Sequence, residues 1–454
     1  MLRVIALVAA VAVLSSAAPA EVAGAKPASG VEKTVLETGL TVLVKESDAN
    51  DVVSVQLFAG MGAKYESDGE AGVSGLLQQC ILKGTKSRTA EDIVNEIESV
   101  GGRLESGTTK ETGFVQLTCT TEGLAKGLEV LFDVMANPTF PAAEVEKEKE
   151  LIAKRMKQKK DRLLVSAIDL AQEVLYEKHP FHKPGEGYEK TVASLGREHV
   201  VEAYRRFYVP RNMVIAAVGN LDAQRFVEDV RRMLGAMGVE AEKPTVVLPE
   251  VSLESARQEL SFRESSSVWL VIAYPTPGVL QDDYYAARVL DCILGGSMDS
   301  RLFTELRDKK GLGYAVRSFY AGFSRDAFVG AYIGTKPGQF EIARDGILGE
   351  VEKLRNEEVT DEELGNTKRY LRGAYMIRLE SNANQAYDFA YYECVGAGYD
   401  YPDRYLEGIQ TVTKADVIRI AKKYFEAYAL ASILPEQVEA GEGGKEQEKE
   451  KTTY

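Results

Sequence analysis

From Val52 to Ala59 apolar and polar residues alternate, the period of a strand with one buried face. Upstream, residues 34–44 hold two short apolar runs around Thr38-Gly39, which predicts two strands and a turn. Residues 72–82 are apolar-rich and predict a helix. Thr89, placed before Glu91 and Asp92, predicts the capped start of another, which Gly101-Gly102 ends. Strands over 103–108 and 113–121 follow, then helices over 124–135 and from 142 onward. The apolar run 214–218, closed by Gly219, reads as a further strand. Strands and helices in this mixed order predict an α+β fold.

After a proline-punctuated stretch at 240–253, much the same programme runs again. The helix-like segment from Asp416 to Phe425 mirrors that from His199 to Tyr208, and each is followed by an apolar strand. An internal duplication is therefore expected, with halves at 34–240 and 254–435 joined by a linker at 241–253.

The termini read differently. Met1-Leu2-Arg3 precedes an apolar run from Val4 to Leu14 and an Ala18-Pro19-Ala20 cleavage pattern, with Ala23-Gly24-Ala25 as a second cut site. This predicts a secretory signal at 1–20 and a short linker at 21–33. The run falls short of the roughly 20 residues that span a bilayer, so no stable membrane span is expected. The tail at 436–454 has scarcely an apolar residue and is expected to be disordered.

Composition narrows the chemistry. The 454 residues carry 55 Lys+Arg against 69 Asp+Glu, a formal charge of -14, which makes nucleic acid an unlikely class of partner. Cys80, Cys119, Cys292 and Cys394 form no C-x-x-C, and sequence leaves their pairing open. Only three histidines occur. His179 and His182 flank a proline and His199 opens a helix, so structural or surface roles are expected for all three. There is no G-x-S-x-G elbow and no credible Cys/His pair, which disfavours an independent peptidase with another nucleophile.

The segment from Glu70 to Thr85, ending Lys83-Gly84-Thr85, resembles the motif helix of the insulinase and pitrilysin family of zinc peptidases, which includes the mitochondrial processing peptidases. That family carries H-x-x-E-H. Its two His lie one helical turn apart to reach one zinc ion, and its Glu activates the bound water. Here Gly75 and Gln79 stand where the resemblance puts the two His, and Gln78 stands at the general base. The family's third ligand is a Glu seven residues after another Glu. Glu148 matches the supporting position and Arg155 the ligand position, where a fixed cation would repel zinc. The resemblance extends over His179-Pro180-Phe181-His182 and over Tyr208-Val209-Pro210-Arg211-Asn212-Met213.

In the second half, Leu294-Gly295-Gly296-Ser297-Met298 through Tyr314 is similar to the family's glycine-rich segment. The resemblance implies that Arg307 and Tyr314 hydrogen-bond substrate near the scissile carbonyl, from a half that faces the zinc half across a chamber. It also implies two homologous halves forming a clamshell. Together these features lead us to expect a subunit with no cofactor of its own, paired as a heterodimer with a zinc-bearing homologue. It would bind unfolded peptide and act in the periplasm as an exported protein. The alternative is a structural or peptide-binding scaffold with no role in hydrolysis.

Overall fold

The computed structural model describes residues 30–234, 237 and 242–436. The signal-peptide reading of 1–20 and the tail from 437 lie outside the described residues, as does most of the first linker. Two mixed sheets are present. The first contains β1 (Glu32–Val35), β2 (Thr41–Glu46), β3 (Val52–Gly60), β4 (Arg103–Thr108), β5 (Thr112–Thr120) and β6 (Met213–Gly219), in the order β1-β2-β6-β3-β5-β4. The second contains β7 (Arg257–Arg263), β8 (Val268–Thr276), β9 (Gly313–Ala321), β10 (Ala327–Thr335) and β11 (Ala429–Pro435), in the order β7-β11-β8-β10-β9.

The halves repeat one plan. In each, the parallel pair (β2 with β6, β7 with β11) is followed by antiparallel neighbours only. The helices Arg197–Phe207 and Lys414–Tyr424 precede the last strand of their respective halves. Residues 242–253 between the halves carry no helix or strand.

The alternation at β3 predicts one buried face, yet Val53 to Gly60 are all buried. One face, with Val53, Val55, Leu57 and Ala59, joins the first half's main core. The other is covered by the helix Asn382–Cys394 of the second half, whose Ala386, Phe389 and Ala390 pack on Leu43, Phe58 and Val214. The favour is returned. Helix Leu163–Leu175 of the first half lays Ala167, Ala171 and Leu175 on Val271, Ala273, Ala429 and Ala431 of the second sheet. Alanines four residues apart lie on one helix face and let backbone approach sheet closely. Each sheet is thus closed by the other half, at an order of 25 cal/mol per Å² of apolar surface removed from water.

A polar joint secures the same interface. Glu111 accepts from the Ser324 backbone N–H at 2.7 Å, from the Ser324 hydroxyl, and from Lys64 Nζ at 3.1 Å. The Tyr176 hydroxyl donates to the Asp326 carbonyl at 2.5 Å. All four cysteines are free thiols.

His179 sits in this joint, buried between Tyr176 and Phe181. Its Nδ1 accepts from the Phe181 N–H, which leaves the ring proton on Nε2, 3.7 Å from Asp326 Oδ2. Burial first, then the nearby Lys110 and Lys183, lower its pKa to about 4. A folded value below the unfolded ~6.5 means the unfolded chain binds the proton first, so this stability is present above pH 6.5 and lost as pH falls towards 4. Thermal unfolding followed from pH 7 to 4.5 should show a falling melting temperature, with a shallower fall in His179→Gln. An equal slope in both would exclude His179 as a source.

Candidate functional site

The motif helix Val73–Cys80 is short and held from several sides. Its N-terminus is satisfied by the buried Glu66 carboxylate, which accepts from the Gly72 and Ser74 N–H groups at 2.9 Å each. A carboxylate there answers both the unpaired donors and the helix dipole. Burial nonetheless raises the Glu66 pKa, with the Gly72 and Ser74 bonds opposing it. The Ser74 hydroxyl in turn accepts from the Gly62 N–H at 3.0 Å. Beyond the helix, Lys83 pairs with Glu148 at 2.9 Å, so the supporting carboxylate is kept, buried, and engaged with a lysine.

Gly75, the first ligand position, faces the turn at Pro184-Gly185-Glu186-Gly187. A Cβ built on Gly75 would lie 3.1 Å from the Gly185 carbonyl oxygen. A second approach lies beside it: Gly187 has φ +76°, and a Cβ there would meet the Ala71 carbonyl oxygen at 2.2 Å. Only glycine fits that approach. Gln78 is fully buried, with its amide bonded to the buried Tyr208 hydroxyl and Nε2 3.4 Å from Met61 Sδ. Gln78 Oε1 has no partner among the described residues. Gln79 is half-buried. Arg155, on helix Ala142–Lys160, directs Nε at Glu186 Oε1, 3.8 Å away. The chain's own Glu186 therefore balances the cation at the third ligand position.

These residues do not fit a zinc ion. Glycine offers no donor atom, an amide oxygen is a poor substitute for imidazole, and a guanidinium cannot ligate. The Gly185 carbonyl crowds the space that a residue-75 side chain would cross. Among the described residues no group of three or more His, Cys, Asp or Glu is arranged to hold a metal.

Arg307 and Tyr314 lie elsewhere. Arg307 is exposed on the π-helical turn Phe303–Lys309, its guanidinium over the Phe303 ring at 4.6 Å. Tyr314 is 60% exposed near the start of β9, an edge strand, with its ring edge-on to Trp269 at 5.5 Å. The turn after β9 is the part that docks on the first half, through Ser324 and Asp326. Seven strand steps separate Tyr314 from Ala321, roughly 23 Å. The structure thus gathers Gly75, Gln78, Gln79 and Arg155 around one helix and sets Arg307 and Tyr314 on the far end of the other half's sheet. Sequence reasoning missed the closing turn, Glu186 and Tyr208. The signal was the Gly-Glu-Gly run opposite Gly72, a pair of glycine-rich turns that allow backbone to meet backbone.

Buried Gln78 also gives a measurable consequence. Glu at this position would be held out of water beside a phenol, raising its folded pKa above the unfolded ~4.3. Gln78→Glu should therefore unfold more easily than the parent by about 1–3 kcal/mol at neutral pH, with the deficit shrinking towards pH 5 as the carboxyl takes a proton. Urea denaturation at both values checks this. A deficit that does not change with pH would contradict it.

Two family patterns match, in order along the chain. Residues 41–184 match "Insulinase (Peptidase family M16)" and residues 194–371 match "Peptidase M16 inactive domain". The "Uncharacterized zinc protease YmxG" of Bacillus subtilis is 26% identical over 89% of this chain and 98% of its own length. An "Uncharacterized zinc protease" of Rickettsia felis is 27% identical over 88% of this chain and 96% of its own. A protease from Helicobacter pylori superposes with a TM-score of 0.85 at 22% identity, covering 89% of this chain and 99% of that one. A peptidase M16 inactive domain from Pseudomonas fluorescens gives 0.82 at 21%, covering 90% and 99%. With residues 41–184 matching the peptidase pattern, residues 194–371 the inactive-domain pattern, and the fold shared over 89% of its length, the chain belongs to the insulinase (M16) family of peptidases.

Proposed function

We propose that this chain is a non-catalytic subunit of an insulinase-family peptidase, paired with a zinc-bearing homologue and exported to the periplasm. One observation carries the reading: every position that would ligate or activate in this family holds a residue that cannot, Gly75, Gln78, Gln79 and Arg155, while Arg307 and Tyr314 are kept and exposed. The chain would supply no metal and no general base. It would supply donors. Guanidinium and phenol hydrogen-bond a peptide carbonyl oxygen more strongly as negative charge builds on it, and the gain is largest where water is excluded. Because Tyr314 stands at the outer end of β9, the carbonyl it serves belongs to a site completed by another molecule.

Peptide would be held as an added strand. β4 ends its sheet and is tied to the motif helix by Ser106, whose hydroxyl donates to the Gln78 carbonyl at 2.7 Å. Its outer edge offers backbone donors and acceptors that bind without demanding a sequence. Export is argued from the N-terminal residues alone. No helix among the described residues is long and apolar enough to cross a membrane.

The test is reconstitution. The chain alone should not cleave an unfolded peptide, and a complex with the zinc-bearing homologue should. In that complex Arg307→Ala and Tyr314→Phe should each lower kcat by about 10²–10³, the size of losing one transition-state donor. Both side chains are exposed, so melting temperatures should hold. Unchanged turnover in both variants would sink the shared-site reading and leave a scaffold that takes no part in hydrolysis.

A further inference from the structure

The two halves differ at one edge. In the first half, β1 folds back through the turn at Leu36–Leu40 and pairs antiparallel with the outer side of β2, from Glu32 opposite Val44 to Val35 opposite Thr41. The repeat makes β7 the counterpart of β2, since each is the first strand of the parallel pair in its half. Yet β7 ends its sheet, and among the described residues no strand lies outside it. The chain before β7 does not turn back to fill the place. Residues 250–254 run instead beside Pro275–Pro277 and Lys423–Ala427, and Val251 and Leu253 pack on the core under the exchanged helix. The second half therefore has a strand position that the first half fills from its own sequence and that no described residue of this half fills.

The open edge borders a groove. A cavity of about 410 Å³ lies between β7 and the helix Leu163–Leu175, and a second of about 370 Å³, which shares Leu170 and Glu173 with it, lies between helices Ala142–Lys160 and Leu163–Leu175 and residues 184–189 and reaches β7 at Arg263. Arg263 marks one end of the strand, and Arg257 with Glu259 marks the other. The cations of this groove are engaged: Arg257 pairs with Glu177 at 2.7 Å, Lys159 with Asp169 at 2.6 Å, and Arg263 donates to the Lys160 carbonyl and to Ser166. Glu173 and Glu259 make no ion pair or side-chain hydrogen bond among the described residues. Burial in the groove walls, then Asp169, hold Glu173 above the usual carboxylate value, with Lys110 and Lys159 opposing. On the other side of the strand Phe262 is half exposed.

We propose that the outer edge of β7 accepts an extended peptide strand with basic residues at alternate positions, a peptide site separate from β4 and independent of any partner subunit. Backbone pairing with β7 would replace the missing equivalent of β1. Side chains of an added strand alternate between faces. One set would point at Glu173 and Glu259, where lysine or arginine is matched. The other would lie beside Phe262, where an apolar residue is matched.

The experiment uses the chain alone. An end-capped fluorescent octapeptide of alternating lysine and valine is titrated by anisotropy, with hydrogen exchange measured in parallel. Saturable binding should slow exchange of the amides in 257–263. Glutamate in place of lysine, or N-methylation of alternate peptide residues, should weaken binding by roughly tenfold or more. Glu173→Gln combined with Glu259→Gln should weaken it severalfold while the melting temperature holds. Binding that protects only 103–108 would overturn the proposal, as would no binding at all. So would protection of 257–263 that rises with protein concentration without peptide, since the edge would then be filled by a second copy. None of these results bears on Arg307 and Tyr314, whose role is read only in the mixed complex.

Discussion

Each sheet is sealed on its second face by a helix that belongs to the other half, and this exchange governs what the rest of the molecule can do. Phe389 and its flanking alanines cover Phe58 and Val214, while Ala167 and Ala171 cover Val271 and Ala431. Neither half has a complete core without its neighbour, so the halves are fixed as one body rather than hinged about the linker. The consequence reaches Arg307 and Tyr314. Tyr314 near the start of β9 and Arg307 on the turn before it stand away from the end of β9 that docks on the first half.

The motif helix is held by contacts that involve no metal ligand. Glu66 still caps it, Glu148 still supports it, and Ser106 still ties it to the edge strand. The Gly185 carbonyl stands over Gly75, Gln78 has turned to Tyr208, and Arg155 is answered by Glu186.

Much of this was legible in the residues. The strands at 103–108 and the capped helix after Thr89 carry local signals, turn glycines and a Thr–Asp capping box, which no tertiary contact needs to override. The repeat was visible because the helices at 197–207 and 414–424 keep one apolar pattern. The unreadable part was non-local. Alternation in β3 implied one wet face, and its burial depends on a helix more than 300 residues away that hydropathy cannot assign to a partner. Likewise the positions that the resemblance gives to ligands could be named from the motif residues, but the turn that closes on Gly75 is more than 100 residues further along, and only two glycines hinted at it.

The central claim is that this chain cannot hold the ion its relatives are named for. Metal analysis of the purified, folded chain after incubation with excess zinc and exhaustive dialysis addresses it directly. The account predicts far less than one zinc per chain, with no change on Gln79→Ala. One tightly held zinc per chain, lost in Gln79→Ala, would contradict it.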